Sequence, residues 1–143
     1  MALDWGNVNW LAVGVSGLAH MAIGAAWFGI FSKPWMADAY PGMTREQLMG
    51  SQPQGPGAWI GYVIGLVIGL FSAYVTSVIL RSMGVTTLDP ALALTLAAWI
   101  AFTAGRYLTT YMFERRPMRL WAIDAGYPLA SMLATTIIVV LWT

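Results

Sequence analysis

The stretch Ala58–Arg81, AWIGYVIGLVIGLFSAYVTSVILR, decides the fold. It holds no charge before its last residue. At a rise of about 1.5 Å per residue it makes a helix of roughly 36 Å, long enough to cross a hydrocarbon core of about 30 Å. Three further apolar runs have similar length: Val8–Phe31, Pro90–Phe113 and Leu120–Trp142. Nearly every charge falls in the joints between them. The reading is an all-α integral membrane protein, a single transmembrane domain over residues 1–143 with four spanning helices and a long first loop at 32–57.

Composition agrees. The 143 residues are 59% hydrophobic and 9% charged, against about 25% charged in a soluble domain. Mean hydropathy is +0.68. A net charge of +1 excludes the basic face of a nucleic-acid binder. With no cysteine, disulfides, thiolate metal sites and thiol chemistry are excluded. Asp4 and the absence of Lys or Arg before the first run argue against a cleaved leader, so Val8–Phe31 is read as a retained helix.

With four spans, the first and third loops share one side. They carry Lys33, Arg45, Arg115, Arg116 and Arg119, while the other side has Arg81. The positive-inside rule puts those loops in the cytoplasm and both termini outside. Trp35, Trp59 and Trp121 then lie at the inner interface, and Trp5, Trp10 and Trp142 at the outer one. Trp99 falls near mid-span and is expected to pack inside the bundle or against a partner. In the first loop, Pro34, Pro41, Pro53 and Pro56 with Gly42 and Gly55 predict the absence of a long helix. Thr44-Arg45-Glu46-Gln47 has capping-box spacing and predicts a short helical turn over Thr44–Met49.

Small residues recur every four positions. The second run reads Gly57, Gly61, Gly65, Gly69, Ala73, Ser77; the third Ala93, Ala97, Ala101, Gly105, Thr109; the fourth Ala122, Gly126, Ala130, Ala134. Lipid gives helices no hydrophobic drive to associate, so close approach along such faces takes its place. The faces serve either packing within the chain or assembly with other subunits. Gly57, Gly61, Gly65 and Gly69 form the face best suited to assembly, as a homo-oligomer or with other membrane proteins.

Ionisable groups inside a span are candidate functional residues. Arg106 lies roughly 10 Å before the end of the third helix and Asp124 roughly 6 Å into the fourth. The two helices form a hairpin, so an Arg106–Asp124 ion pair is expected. Pro128 cannot donate to the Asp124 carbonyl and should kink the helix there. Thr103 and Thr110 share a face with Arg106, and Tyr127 lies beside the kink. This group either fixes the hairpin register or forms a binding or conduction site for a small anion, a proton or a lipid headgroup.

His20 is the single histidine and supplies too few ligands for a closed metal site. Its readings are a hydrogen bond to a neighbouring helix, a proton relay, or axial ligation of a haem or chlorophyll-type pigment, with Ser16 and Gly24 leaving room for a macrocycle. No catalytic motif is present: GxSxG, HExxH and phosphate-binding glycine loops are all missing. No metal or cofactor and no enzymatic activity is expected.

Two segments carry a family resemblance. The first is Tyr111-Met112-Phe113-Glu114-Arg115-Arg116-Pro117 followed by Ile123-Asp124-Ala125-Gly126-Tyr127. The second is Asn9-Trp10-Leu11-Ala12-Val13 followed by Gly24-Ala25-Ala26-Trp27-Phe28 and a Lys33-x-Trp35 exit. Together they resemble a family of small bacterial membrane proteins catalogued as domain of unknown function 1761. The resemblance implies a four-helix protein of the bacterial inner membrane and no established activity. The leading expectation is an accessory or scaffold subunit of a membrane assembly. The alternatives are a small-solute or ion transporter or channel formed by oligomerisation, and a pigment- or haem-binding subunit using His20.

Overall fold

The computed structural model describes residues 3–51 and 57–142. Four long helices are apolar enough to cross a membrane. We label the helices α1 (Trp10–Ala39), α2 (the short Arg45–Ser51), α3 (Gly57–Ser82), α4 (Leu88–Phe113) and α5 (Met118–Leu141). Pro53, Gly55 and Pro56, expected to interrupt the first loop, lie outside the described residues.

Local chemistry sets the boundaries. Asn9 caps α1, its Oδ1 accepting from the N–H groups of Leu11 and Ala12 at 3.1 and 3.2 Å. Its Nδ2 donates to the Trp142 carbonyl at 2.7 Å, so the two ends of the chain meet. The capping box forms as expected: Gln47 N–H bonds Thr44 Oγ1 at 3.2 Å, and Gln47 Oε1 accepts from Thr44 N–H at 2.8 Å. The α3 end closes on Gly84, at φ +70°, with Val85 N–H reaching back to the Leu80 carbonyl at 2.9 Å. The α4 end uses the same device without glycine. Arg115 takes φ 54° and Arg116 N–H reaches the Tyr111 carbonyl at 2.9 Å.

The expected loop at 32–57 is corrected. α1 continues through Pro34 to Ala39. Pro34 withdraws one backbone donor from the helix, but tertiary bonds hold the extension against α5. The Trp35 indole donates to Asp124 at 2.8 Å, and Arg119 grips both carboxylate oxygens of Asp38 at 2.7 Å. Anchored side chains outweigh one missing hydrogen bond, which a composition argument does not register.

α5 is the hub. It packs against α1, α3 and α4, while α1 and α3 also pack together and α4 leans chiefly on α5. The tightest packing lies at the end holding both termini, where Leu80, Ala91, Val139 and Val140 are buried together. The first and third loops occupy the opposite end, where Asp38 at the end of α1 pairs with Arg119 at the start of α5.

α4 contains a π-helical turn at Ile100–Ala104, closed by Gly105 N–H on the Ile100 carbonyl. Its inward positions are Ala91, Thr95, Trp99 and then Ala104, in steps of four, four and five. The alanine ladder read from sequence is therefore corrected: Ala93, Ala97 and Ala101 are exposed. Thr95 joins α4 to α5 beside Ala91, its hydroxyl 2.7 Å from that of Thr136.

The α3 ladder divides. Gly69, Ala73 and Ser77 are buried, whereas Gly57 and Gly61 are exposed and Gly65 is half-buried. A Cβ added at Gly69 would stand 2.9 Å from His20 Cβ; at Gly57, Gly61 or Gly65 it would meet none of the described residues within 4 Å. Within the chain, α3 packs through Gly69 and the residues after it and diverges before it.

Candidate functional site

Pro128 lies inside α5 and offers no N–H to the Asp124 carbonyl. Around this gap the α5 backbone serves neighbouring indoles. Trp27 of α1 donates to the Ile123 carbonyl at 3.0 Å, and Trp99 of α4 to the Ala125 carbonyl at 2.8 Å. Trp99 thus packs inside the bundle. Gly126 permits the first bond, since a Cβ there would stand 2.7 Å from Trp27 Cζ2. Trp121 returns a bond from α5 to the Ala104 carbonyl of the π turn at 3.1 Å. An indole N–H inside a membrane finds few acceptors other than backbone carbonyls.

The Asp124 side chain is half-buried and takes two donors. Trp35 Nε1–H approaches Oδ1 at 2.8 Å, and the Tyr111 hydroxyl donates to Oδ2. The Arg116 guanidinium lies over the Tyr111 ring, 5.9 Å from its centroid, and pairs with Glu114 at 2.6 Å. Bonds to a carboxylate are the stronger kind, about 1.5–3 kcal/mol each. Here they join three helices, α1, α4 and α5, at one carboxyl group.

The expected Arg106–Asp124 ion pair is not formed. Among the described residues the ion pairs are Arg116–Glu114 and Arg119–Asp38. Equal depth does not place two residues on facing sides. Tyr111 takes the position facing Asp124, and Arg106 is exposed on the outer face of α4. Thr103 and Thr110 stay with Arg106, lining an outward cleft; the Thr110 hydroxyl donates to the Arg106 carbonyl at 3.2 Å. The six residues expected as one site thus divide into Arg106, Thr103 and Thr110 outside, and Asp124, Tyr127 and Pro128 on the α5 hub.

The next turn of α5 holds the second polar contact. The Tyr127 hydroxyl is 2.7 Å from His20 Nε2, joining α5 to α1 at mid-span as the helix-to-helix reading of His20 expects. Gly24 makes room for it: a Cβ there would lie 3.2 Å from that hydroxyl. Tyr127 thus engages Nε2, one of the two ring nitrogens that axial ligation could use. Among the described residues no three His, Cys, Asp or Glu side chains gather where a metal ion would sit.

His20 and Tyr127 form the floor of a cleft of about 690 Å³ between α1 and α3. The helices touch where Gly17 meets Leu70 and Gly69 meets His20, and separate toward the first loop. Gly29 on one wall and Gly61 and Gly65 on the other leave bare backbone between the side chains of Met21, Phe28 and Tyr62, and Arg45 of α2 also lines the cleft.

Residues 11–140 match the model of a family described as "Protein of unknown function (DUF1761)". The chain belongs to the DUF1761 family. No curated protein and no solved structure matches it. The matched span reaches from the first turn of α1 to the last turn of α5. The Asp124 contacts and the His20–Tyr127 floor both lie inside the DUF1761 unit.

Sequence reasoning missed Trp27, Trp35 and Tyr111 as partners of α5. One signal was present. In a chain with 8 tryptophans and few charges, indole N–H groups within spans need carbonyls or a carboxylate, and Asp124 beside Pro128 offers both.

Proposed function

We propose that this DUF1761 protein is a non-enzymatic accessory or scaffold subunit of the bacterial inner membrane, both termini outside. Its α1–α3 cleft receives a transmembrane helix of another subunit. The observation that carries this reading is the open glycine face. Glycine is about 1 kcal/mol less favourable than alanine in a helix interior, and among the described residues none packs closely on Gly61 or Gly65. Lipid gains nothing from a bare backbone, whereas a neighbouring helix does. Gly29 on the opposite wall is equally open, so a helix backbone can approach both sides.

The chain lacks cysteine, so a Gly61→Cys variant gives one addressable position. A photoreactive benzophenone maleimide attached to it and activated in the native membrane, followed by mass spectrometry, identifies what lies against it. A species at twice 15.5 kDa means a second copy occupies the cleft. A foreign chain means a hetero-assembly. A cysteine that labels freely and cross-links to nothing rejects the reading.

A transporter or channel is the second reading. His20 and Tyr127 place polar atoms on the cleft floor at mid-span, with Arg45 also lining the cleft. Solute flux into proteoliposomes that falls with Tyr127→Phe and Arg45→Gln would favour it over the scaffold.

A further inference from the structure

Arg106 lies seven residues before the end of α4, roughly 10 Å along the helix, and is exposed on the side away from α5. Among the described residues no carboxylate pairs with it. Asp124, the acid at comparable depth, is held by Trp35 and Tyr111. A guanidinium facing lipid at this depth needs an anion and reaches toward the headgroups to find one.

The surroundings specify which anion. Arg106 and Arg116 line a cleft of about 540 Å³, with the hydroxyl-bearing Thr103 and Tyr107 on its walls. Glu114, also at the cleft, already bonds Arg116 at 2.6 Å, so the site keeps a net positive charge. Guanidinium groups match phosphate oxygens in a fork geometry. The same helix exposes Phe102, Met112 and Phe113, by 79%, 65% and 86%, offering apolar surface for acyl chains. Phosphate chemistry and an apolar flank occur together.

We propose that this cleft binds the phosphate of an anionic phospholipid, with Arg106 and Arg116 holding its oxygens and the acyl chains lying along α4. The site is separate from the α1–α3 cleft and does not depend on what fills that cleft.

The test is native mass spectrometry of the purified protein in neutral detergent, with phosphatidylglycerol or phosphatidylcholine added in equal amounts. The wild type is expected to retain phosphatidylglycerol preferentially. R106Q should lose that retention about tenfold and R116Q several-fold. K33Q, removing a charge outside the cleft, should retain as the wild type does. E114Q should increase retention by freeing Arg116, an outcome that misfolding does not imitate. Thermal melting confirms that the variants fold; if R106Q does not, R116Q and E114Q decide. Retention unchanged in R106Q and R116Q, or equal for the two lipids, overturns the proposal. An Arg106-dependent thermal shift with inorganic phosphate, matched by no lipid retention, reassigns the cleft to a free anion and overturns the lipid assignment.

Discussion

Tyr111 reaches from the last turns of α4 to donate its hydroxyl to Asp124 of α5. This contact occupies the place that helix depth alone assigns to Arg106. Side chains lean toward the N-terminus of their helix, which carries the long phenol back along the hairpin to the carboxylate.

Removing that phenol tests the network. Tyr111→Phe should destabilise the protein by about 1–3 kcal/mol, since a carboxylate loses one of two donors. A cycle of Tyr111→Phe with Asp124→Asn should show coupling of about 1 kcal/mol. The cycle of Arg106→Ala with Asp124→Ala should be additive within about 0.5 kcal/mol. Unfolding free energies in mixed micelles measure both, and stronger coupling to Arg106 than to Tyr111 would reject the arrangement.

The glycines of α3 should divide in the same way under mutation. Gly69→Ala places a methyl 2.9 Å from His20 Cβ, next to backbone that cannot yield, and should cost about 1–3 kcal/mol. Gly61→Ala meets none of the described residues within 4 Å and should be neutral or stabilise the isolated chain by up to about 1 kcal/mol. Equal losses at both positions would show that the cleft is closed within a single chain.

The π turn holds one residue more than a regular helix needs. Phe102, 79% exposed within it, is the residue to delete. The deletion should let α4 relax to α-helix and keep the indole bonds of Trp99 and Trp121, with a small change in melting temperature. Deleting Ile137 from regular α5 should unfold the protein, because it rotates Val139 and Val140 off the core. Circular dichroism melts in detergent compare the two, and equal damage would reject the relaxation.

Arg115 bears a side chain at φ 54°, where glycine is at ease. Arg115→Gly should stabilise the hairpin by about 0.5–1 kcal/mol, read as a rise in melting temperature. A fall would mean that the arginine side chain contributes more than its backbone strain costs.

Residues that act along the chain were legible in the sequence, and residues that act around a helix were not. Thr44 and Gln47 formed their capping box, and the four apolar runs became the four long helices, because each depends on neighbours in sequence. Arg106 and the alanine ladder were misplaced because rise per residue gives depth but not azimuth, and a π turn shifts azimuth by a whole residue. Pro34 was misread because its backbone deficit is local, whereas the bonds at Trp35 and Asp38 that offset it reach residues far along the chain. The depth of Trp99 predicted packing inside the bundle or against a partner; its acceptor, the Ala125 carbonyl, is a three-dimensional fact.

The divergence of α3 from α1 makes the helix a lever. Its fulcrum is the contact of Gly69 with His20, and the arm from there to Gly57 measures about 18 Å at the helical rise. If the helix bends at that point by about 10° and the packed arm from Ala73 to Leu80 stays in place, the far tip moves by about 3 Å. Glycine at the pivot presents no side chain to jam the rotation, and the residue it turns against is the histidine bonded to Tyr127. Anything that wedges the tip outward or draws it in therefore exerts torque on the polar contact at the centre of the bundle.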